Sequence, residues 1–190
     1  SAVIAAEELM ERYPGRTVKV VDTLCASMGQ GLLVYYACKK RDEGLALEEL
    51  AAWVEETKTH LCHWFTVDDL EYLKRGGRIS PAVAFVGGLL GIKPVLHVDN
   101  EGHLVNVTKV RGRRASIKAL ADKLGETAID KTVGPVFICQ GDCADDAALL
   151  ADFVKNDYGL DIDITVFTGP VIGSHSGPGT LALFFLGSER

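Results

Sequence analysis

Hydrophobic and polar positions follow two rhythms along this chain, and the rhythm changes every ten to twenty residues. Residues 2–13 place apolar side chains at helical spacing and stop at Pro14-Gly15, a helix end. "TVKVVDT" (17–23) is compact and β-rich and predicts a buried strand. Residues 29–44 carry a helical apolar stripe that ends near Gly44, and 46–60 begin another helix. "LCHWFTV" (61–67) predicts a strand from its aromatic and β-branched content. "TVDDLEYLKRGGR" (66–78) predicts a short helix, with Thr66 as N-cap, Asp69 completing the cap and Gly76-Gly77 ending it.

The second half alternates in the same way. "PAVAFVGGLLGI" (81–92) is almost wholly apolar and fits either a core helix or the wall of an apolar cavity. Residues 93–110 predict a hairpin around "DNEG" at 99–102. A helix with a basic first half follows at 111–128, then a strand at 133–141, a helix at 143–159, a strand at 161–169 and a last strand at 180–187. Interleaved helices and strands with one hairpin predict the α/β class with a mixed sheet. A boundary is expected near Gly44, and the opening inside a helical pattern suggests missing N-terminal sequence.

Composition narrows the classes of function. Hydrophobic residues make up 47% of the 190, enough for a substantial core. The net charge of −6 argues against a nucleic-acid binder, because phosphate contacts need a basic surface. No apolar run approaches the roughly 20 residues of a membrane-spanning helix. Five cysteines (Cys25, Cys38, Cys62, Cys139, Cys143) at scattered spacings suggest reduced cytosolic thiols, each read as free and buried.

Three stretches could carry chemistry. "LEYLKRGGRIS" (70–80) sets Gly76 and Gly77 before Arg78: an anion nest with a planar cation, or a helix C-cap beside a solvated arginine. "VIGSHSGPG" (171–179) centres His175 among glycines, with Ser174 and Ser176 as its neighbours. It has neither the Gly-x-Ser-x-Gly elbow nor a Walker lysine. His175 there could be a base, a metal ligand or a group that holds an anion. "KVRGRRASIK" (109–118) holds five cations and no acid, with Arg111 and Arg114 expected on one helix face. Cations at a helix N-terminus oppose its dipole, so a solvated surface competes with a docking surface for an acidic partner or anionic lipid. His60, Cys62 and His63 read as core or edge residues rather than metal ligands, and Asp142, Asp145 and Asp146 as caps of the following helix.

Taken together, "VVDTLCASMGQG", "FTVDDLEYLKRGGRIS", "LLGIKPVL", "KVRGRRASIKAL" and "GPVIGSHSGPGTLALFF" resemble the DegV family, in family order and over nearly the whole chain. The resemblance implies a cytoplasmic bacterial protein of two α/β domains. One long-chain fatty acid lies in a tunnel between them, and its carboxylate is presented to a separate fatty acid kinase that makes an acyl phosphate. It implies no cofactor and no reaction of the protein's own. Residues 1–44 would be the remnant of an N-terminal α/β domain, and 45–190 the C-terminal DegV-like domain. The family's Thr-Ser loop and "SGT" segment would stand before residue 1, leaving a fragment with an incomplete head-group site. His175 would hydrogen-bond the carboxylate, with Arg78 as counter-charge and Ser174, Gly76 and Gly77 around it. Phe85, Val86, Leu89 and Leu90 would line the tunnel. Arg111 and Arg114 would face the kinase, or a membrane in transient contact. The competing readings are an esterase or acyltransferase using His175 with Ser174 or Ser176, and a purely structural interaction module.

Overall fold

The computed structural model describes residues 1–81, 91–129 and 134–190. Its helices are α1 (Ala2–Arg12), α2 (Met28–Asp42), α3 (Leu47–Thr57), α4 (Leu70–Arg75), α5 (Arg113–Thr127), α6 (Ala144–Tyr158) and α7 (Pro170–Ser176). The strands are β1 (Leu61–Thr66), β2 (Ile92–Val98), β3 (Leu104–Arg111), β4 (Phe137–Gly141), β5 (Ile164–Phe167) and β6 (Thr180–Leu186). They form one sheet in the order β3-β2-β1-β6-β4-β5. All neighbours are antiparallel except β4 and β5, so the sheet is mixed, as the alternating pattern predicts.

Side chains alternate across a strand, and here both faces are buried. On β6, Leu181, Leu183 and Phe185 enter one core while Ala182 and Phe184 enter the other. Cys62 and Trp64 of β1 and Val136 and Ile138 beside and on β4 join the first face; Leu61, Phe65, Phe137 and Cys139 join the second. That is why "TLALFFL" is an unbroken apolar run. The first face is covered by α5 and α6, through Ile117, Leu120, Leu124, Leu150 and Val154. The second is covered by α2 and by α4, through Leu32, Leu33, Leu70 and Leu73.

Several expectations are corrected. Residues 17–23 form no strand: their continuation is held by side chains instead of a ladder. Lys58 Nζ donates to Asp22 O at 2.9 Å, Arg190 Nη2 to Leu24 O at 2.5 Å, and Asp22 and Thr23 side chains accept from Leu24 N and Cys25 N. β-rich composition makes a strand only where a neighbour offers backbone partners. Thr66 is not an N-cap but the buried last residue of β1, paired with Leu181. Asp69 caps α4 alone, its Oδ1 accepting from Glu71 N at 2.8 Å. The N-cap of α6 is Cys143, whose amide donates to Gln140 Oε1 at 2.7 Å, while Asp145 and Asp146 lie in the first turn. All five thiols are free, but only Cys62 and Cys139 are buried: Cys25 and Cys143 are half-buried and Cys38 is exposed. Phe85, Val86, Leu89 and Leu90 lie outside the described residues.

Candidate head-group site and cavity

A cavity of about 270 Å³ lies on the second face of the sheet. Its apolar wall includes Phe65 and Phe184 from the sheet, Leu73 from α4, Val98 and Leu104 from the hairpin, and Ile172 from α7. Polar side chains also line it: Ser27, Arg78, Thr168, His175, Ser176 and Thr180. Val171 also lines it while largely exposed, so the cavity opens there.

Two short helices bring Arg78 and His175 together. Helix α4 ends at Gly76 and Gly77, the latter at φ +69°, where L side chains are strained. The chain turns there, and Arg78 Nη1 donates to Gly76 O at 2.5 Å. Across from it, the glycine-rich stretch is not all loop. Pro170 stands at the first position of α7, where a missing N–H costs nothing, and His175 lies in its last turn. The His175 ring sits directly on Gly76: a Cβ at that position would fall 2.2 Å from Nδ1. Only glycine leaves room for this approach. Tyr72 of α4 reciprocates, its ring packing on Gly177 just after α7.

Arg78 is exposed, and among the described residues no carboxylate lies within ion-pair distance of it. A guanidinium with no carboxylate partner among the described residues and an imidazole, both lining a largely apolar cavity, suit an anionic group attached to a hydrocarbon. The alternative of a histidine base with a serine nucleophile finds no support in the geometry. Ser174 Oγ donates to Val171 O at 2.9 Å and Ser176 Oγ to Ile172 O at 3.0 Å, both within their own helix. Among the described residues neither serine is hydrogen-bonded to His175. Ser174 is exposed and is not among the cavity-lining residues, whereas Ser176 is buried and lines it.

Sequence reasoning passed over several lining groups. Ser27, at φ +53° before α2, donates to Cys139 Sγ at 3.3 Å, and Thr168 Oγ1 lies 3.1 Å from the same sulfur. The signal was present in "CASMGQG", a serine directly before a glycine-rich helix start. His63, read as a core residue, is buried against the cavity, with Nδ1–H donating to Leu61 O at 2.8 Å. Burial above all, and then the positive charge of Arg190, pushes its pKa down to about 3, so the ring is neutral near pH 7.

The basic stretch divides in two. Arg111 closes β3 and α5 starts at Arg113, so Arg111 and Arg114 do not share a helix face. They still border one shallow surface notch with Lys118 and Phe153, where Arg114 lies 5.0 Å from the Phe153 ring centroid. Asp99, Glu101 and His103 on the β2–β3 turn gather their ligand atoms within 4.8 Å, but Asp99 Oδ1 is already taken by the amides of Glu101 and His103. Among the described residues no helix is long and apolar enough to cross a membrane.

The fold and site define an α/β protein with one packed sheet face and one hollow face lined by both apolar and polar side chains. Residues 1–188 match the family model described as "Uncharacterised protein, DegV family", and the chain belongs to the DegV family. A DegV domain-containing protein of Clostridium perfringens is 47% identical over all 190 residues, and one of Streptococcus pyogenes is 38% identical over 189. The chain spans about 65% of the length of each of these curated relatives. A fatty-acid-binding DegV family protein from Streptococcus agalactiae is 31% identical with a TM-score of 0.81, over 96% of this chain and 64% of that one. A Thermus thermophilus DegV family structure described by its fatty acid binding is 34% identical with a TM-score of 0.80, over 97% of this chain and 66% of that one. The Streptococcus pneumoniae Fatty Acid Kinase B3 protein, loaded with linoleic acid, shares the fold with a TM-score of 0.86 at 24% identity, over 97% of this chain and 65% of that one.

Proposed function

We propose that this protein binds one long-chain fatty acid, with its hydrocarbon in the cavity and its carboxylate at His175 and Arg78, and presents that carboxylate to a fatty acid kinase. The observation that carries the reading is the cavity itself, lined mostly by apolar side chains and also by Arg78 and His175. The hydrocarbon supplies the affinity: at ~0.8 kcal/mol per buried methylene, a long acyl tail contributes roughly 10 kcal/mol before the entropy of association is subtracted. The head-group residues then fix orientation. The fatty-acid binding named for the relatives from S. agalactiae and T. thermophilus agrees with this.

At about 270 Å³ the cavity lies at the lower edge of small-molecule sites, which run to roughly 300–1,000 Å³. In this reading residues 1–44 belong to an N-terminal α/β domain, and the remaining third of the relatives' length supplies further wall and head-group contacts. Gly76 and Gly77 shape the approach to the carboxylate. Arg111 and Arg114 on the surface notch meet the kinase or, in passing, a membrane. The protein presents its ligand and transforms nothing. The test is lipid extraction and mass spectrometry of the natively purified full-length chain, followed by titration with oleate or palmitate. One co-purifying fatty acid per chain is expected; lipid-free protein that refuses both added acids would overturn the proposal.

A further inference from the structure

Among the cations of the basic stretch, Arg113 behaves differently from its neighbours. It is the first residue of α5, where a cation opposes the helix dipole, so the stability of α5 does not account for it. Its side chain turns inward and is only 20% exposed. Nε donates to Asp146 Oδ2 at 2.8 Å, Nη2 donates to Gly179 O at 2.6 Å, and Nη1 stands 3.6 Å from Asp68 Oδ1. Asp68 in turn accepts from Lys93 Nζ at 2.8 Å.

These contacts join the two segments that carry the head-group site. Asp68 immediately precedes the N-cap of α4, the helix that leads to Gly76 and Arg78. Gly179 follows α7, the helix that carries His175. The Asp68 carboxylate lies on Gly179 so closely that a Cβ there would fall 2.5 Å from Oδ2. Helices of six and seven residues cannot hold their own geometry, so their mutual placement must come from tertiary contacts. A guanidinium suits that task because its planar fork reaches several acceptors in fixed directions.

We propose that Arg113, with Asp68, is a positioning residue for the head-group site: it clamps the exit of α7 to the entrance of α4 and so sets where His175 stands relative to Gly76 and Arg78. This rests on the reading of the site as a carboxylate holder. Losing the clamp leaves the wall built by the sheet and hairpin (Phe65, Phe184, Val98 and Leu104) in place, and shifts α4 and α7, which add only Leu73, Val171 and Ile172 to the apolar lining but carry the approach to Arg78 and His175. Its signature is therefore a loss of discrimination between head groups rather than a loss of binding.

The experiment compares palmitate with 1-hexadecanol, which has the same chain length and no charge, on the natural full-length chain. In Arg113→Gln the preference for palmitate is expected to fall about tenfold, the effect of misplacing a charge-assisted hydrogen bond, while hexadecanol affinity stays within about twofold. Arg113→Lys should restore part of the preference, since an ammonium holds a carboxylate but lacks the fork. Asp68→Asn, which keeps the shape, makes the same comparison should Arg113→Gln fail to fold. Parallel weakening of both ligands would overturn the clamp, as would variants that keep the wild-type preference. Wild-type protein that binds neither ligand, or shows no preference for the acid, would instead overturn the carboxylate reading, and the clamp with it.

Discussion

The two faces of the sheet bury similar side chains and do different things with them. Under α5 and α6 the core closes: Ile117, Leu120, Ala121, Leu124 and Leu150 are fully buried. Under α2, α4 and α7 apolar residues of the same kind surround a hollow, and polar groups line part of it. Close packing is the ordinary state of a protein interior, so a hollow kept beside a packed face is a feature to be explained by a ligand. The contrast teaches that stability and binding are separated by one strand's thickness, since Leu183 and Phe184 of β6 serve opposite faces.

The largest effect that sharpens this contrast is on the packed side. Leu150→Ala should cost about 2–5 kcal/mol of stability, read by denaturant unfolding, with fatty-acid affinity unchanged where the protein remains folded. A matched pair comes next. Ala121→Leu, on the packed face, should destabilise by about 1–3 kcal/mol. Ala182→Leu, on the cavity wall, should leave the melting temperature level or higher and weaken palmitate at least about tenfold, because the added methylenes occupy ligand volume. Equal destabilisation by both would erase the distinction between the faces.

Acid titration probes the hollow face through His63. The unfolded chain takes up a proton near pH 6.5, whereas the native chain refuses it until about pH 3. The stability due to the neutral ring is therefore complete above pH 6.5 and is lost as pH falls towards 3, by at most about 1.4 kcal/mol per pH unit. His97, half-buried and also lowered chiefly by burial, adds in the same direction. Chemical unfolding across this window should show the slope, and His63→Leu should flatten it.

Gly76→Ala is a smaller and more local change. The new methyl would meet the His175 ring, so the preference for palmitate over hexadecanol should fall about tenfold with little loss of hexadecanol binding. Smallest of all on binding is the double reversal Arg111→Glu with Arg114→Glu: lipid affinity should hold while acyl phosphate formation with the kinase falls. Equal loss of both would remove the notch from the partner surface.

Much of this was legible in the chain. Interleaved helical and strand patterns with the "DNEG" turn predict the mixed sheet, and the paired glycines before Arg78 mark the turn that meets His175. Other features were not, for physical reasons. "TVKVVDT" has the composition of a strand, but a strand also needs a partner ladder, which composition does not encode. "PVIGSHS" contains a glycine and still forms a helical turn, because Pro170 starts it and Tyr72 packs on its exit. Arg111, Arg113 and Arg114 look alike in sequence. Only the placement of Asp68, Asp146 and Gly179 turns the middle one inward.

The most direct test of the account is calorimetry of saturated fatty acids of increasing length on the full-length chain, with and without His175→Ala and Arg78→Ala. Each added methylene should tighten binding by ~0.8 kcal/mol, about fourfold, until the cavity is filled, and both variants should keep that slope while losing preference for the acid over the alcohol. Affinity that ignores chain length, or a slope that vanishes with His175 or Arg78, would contradict it.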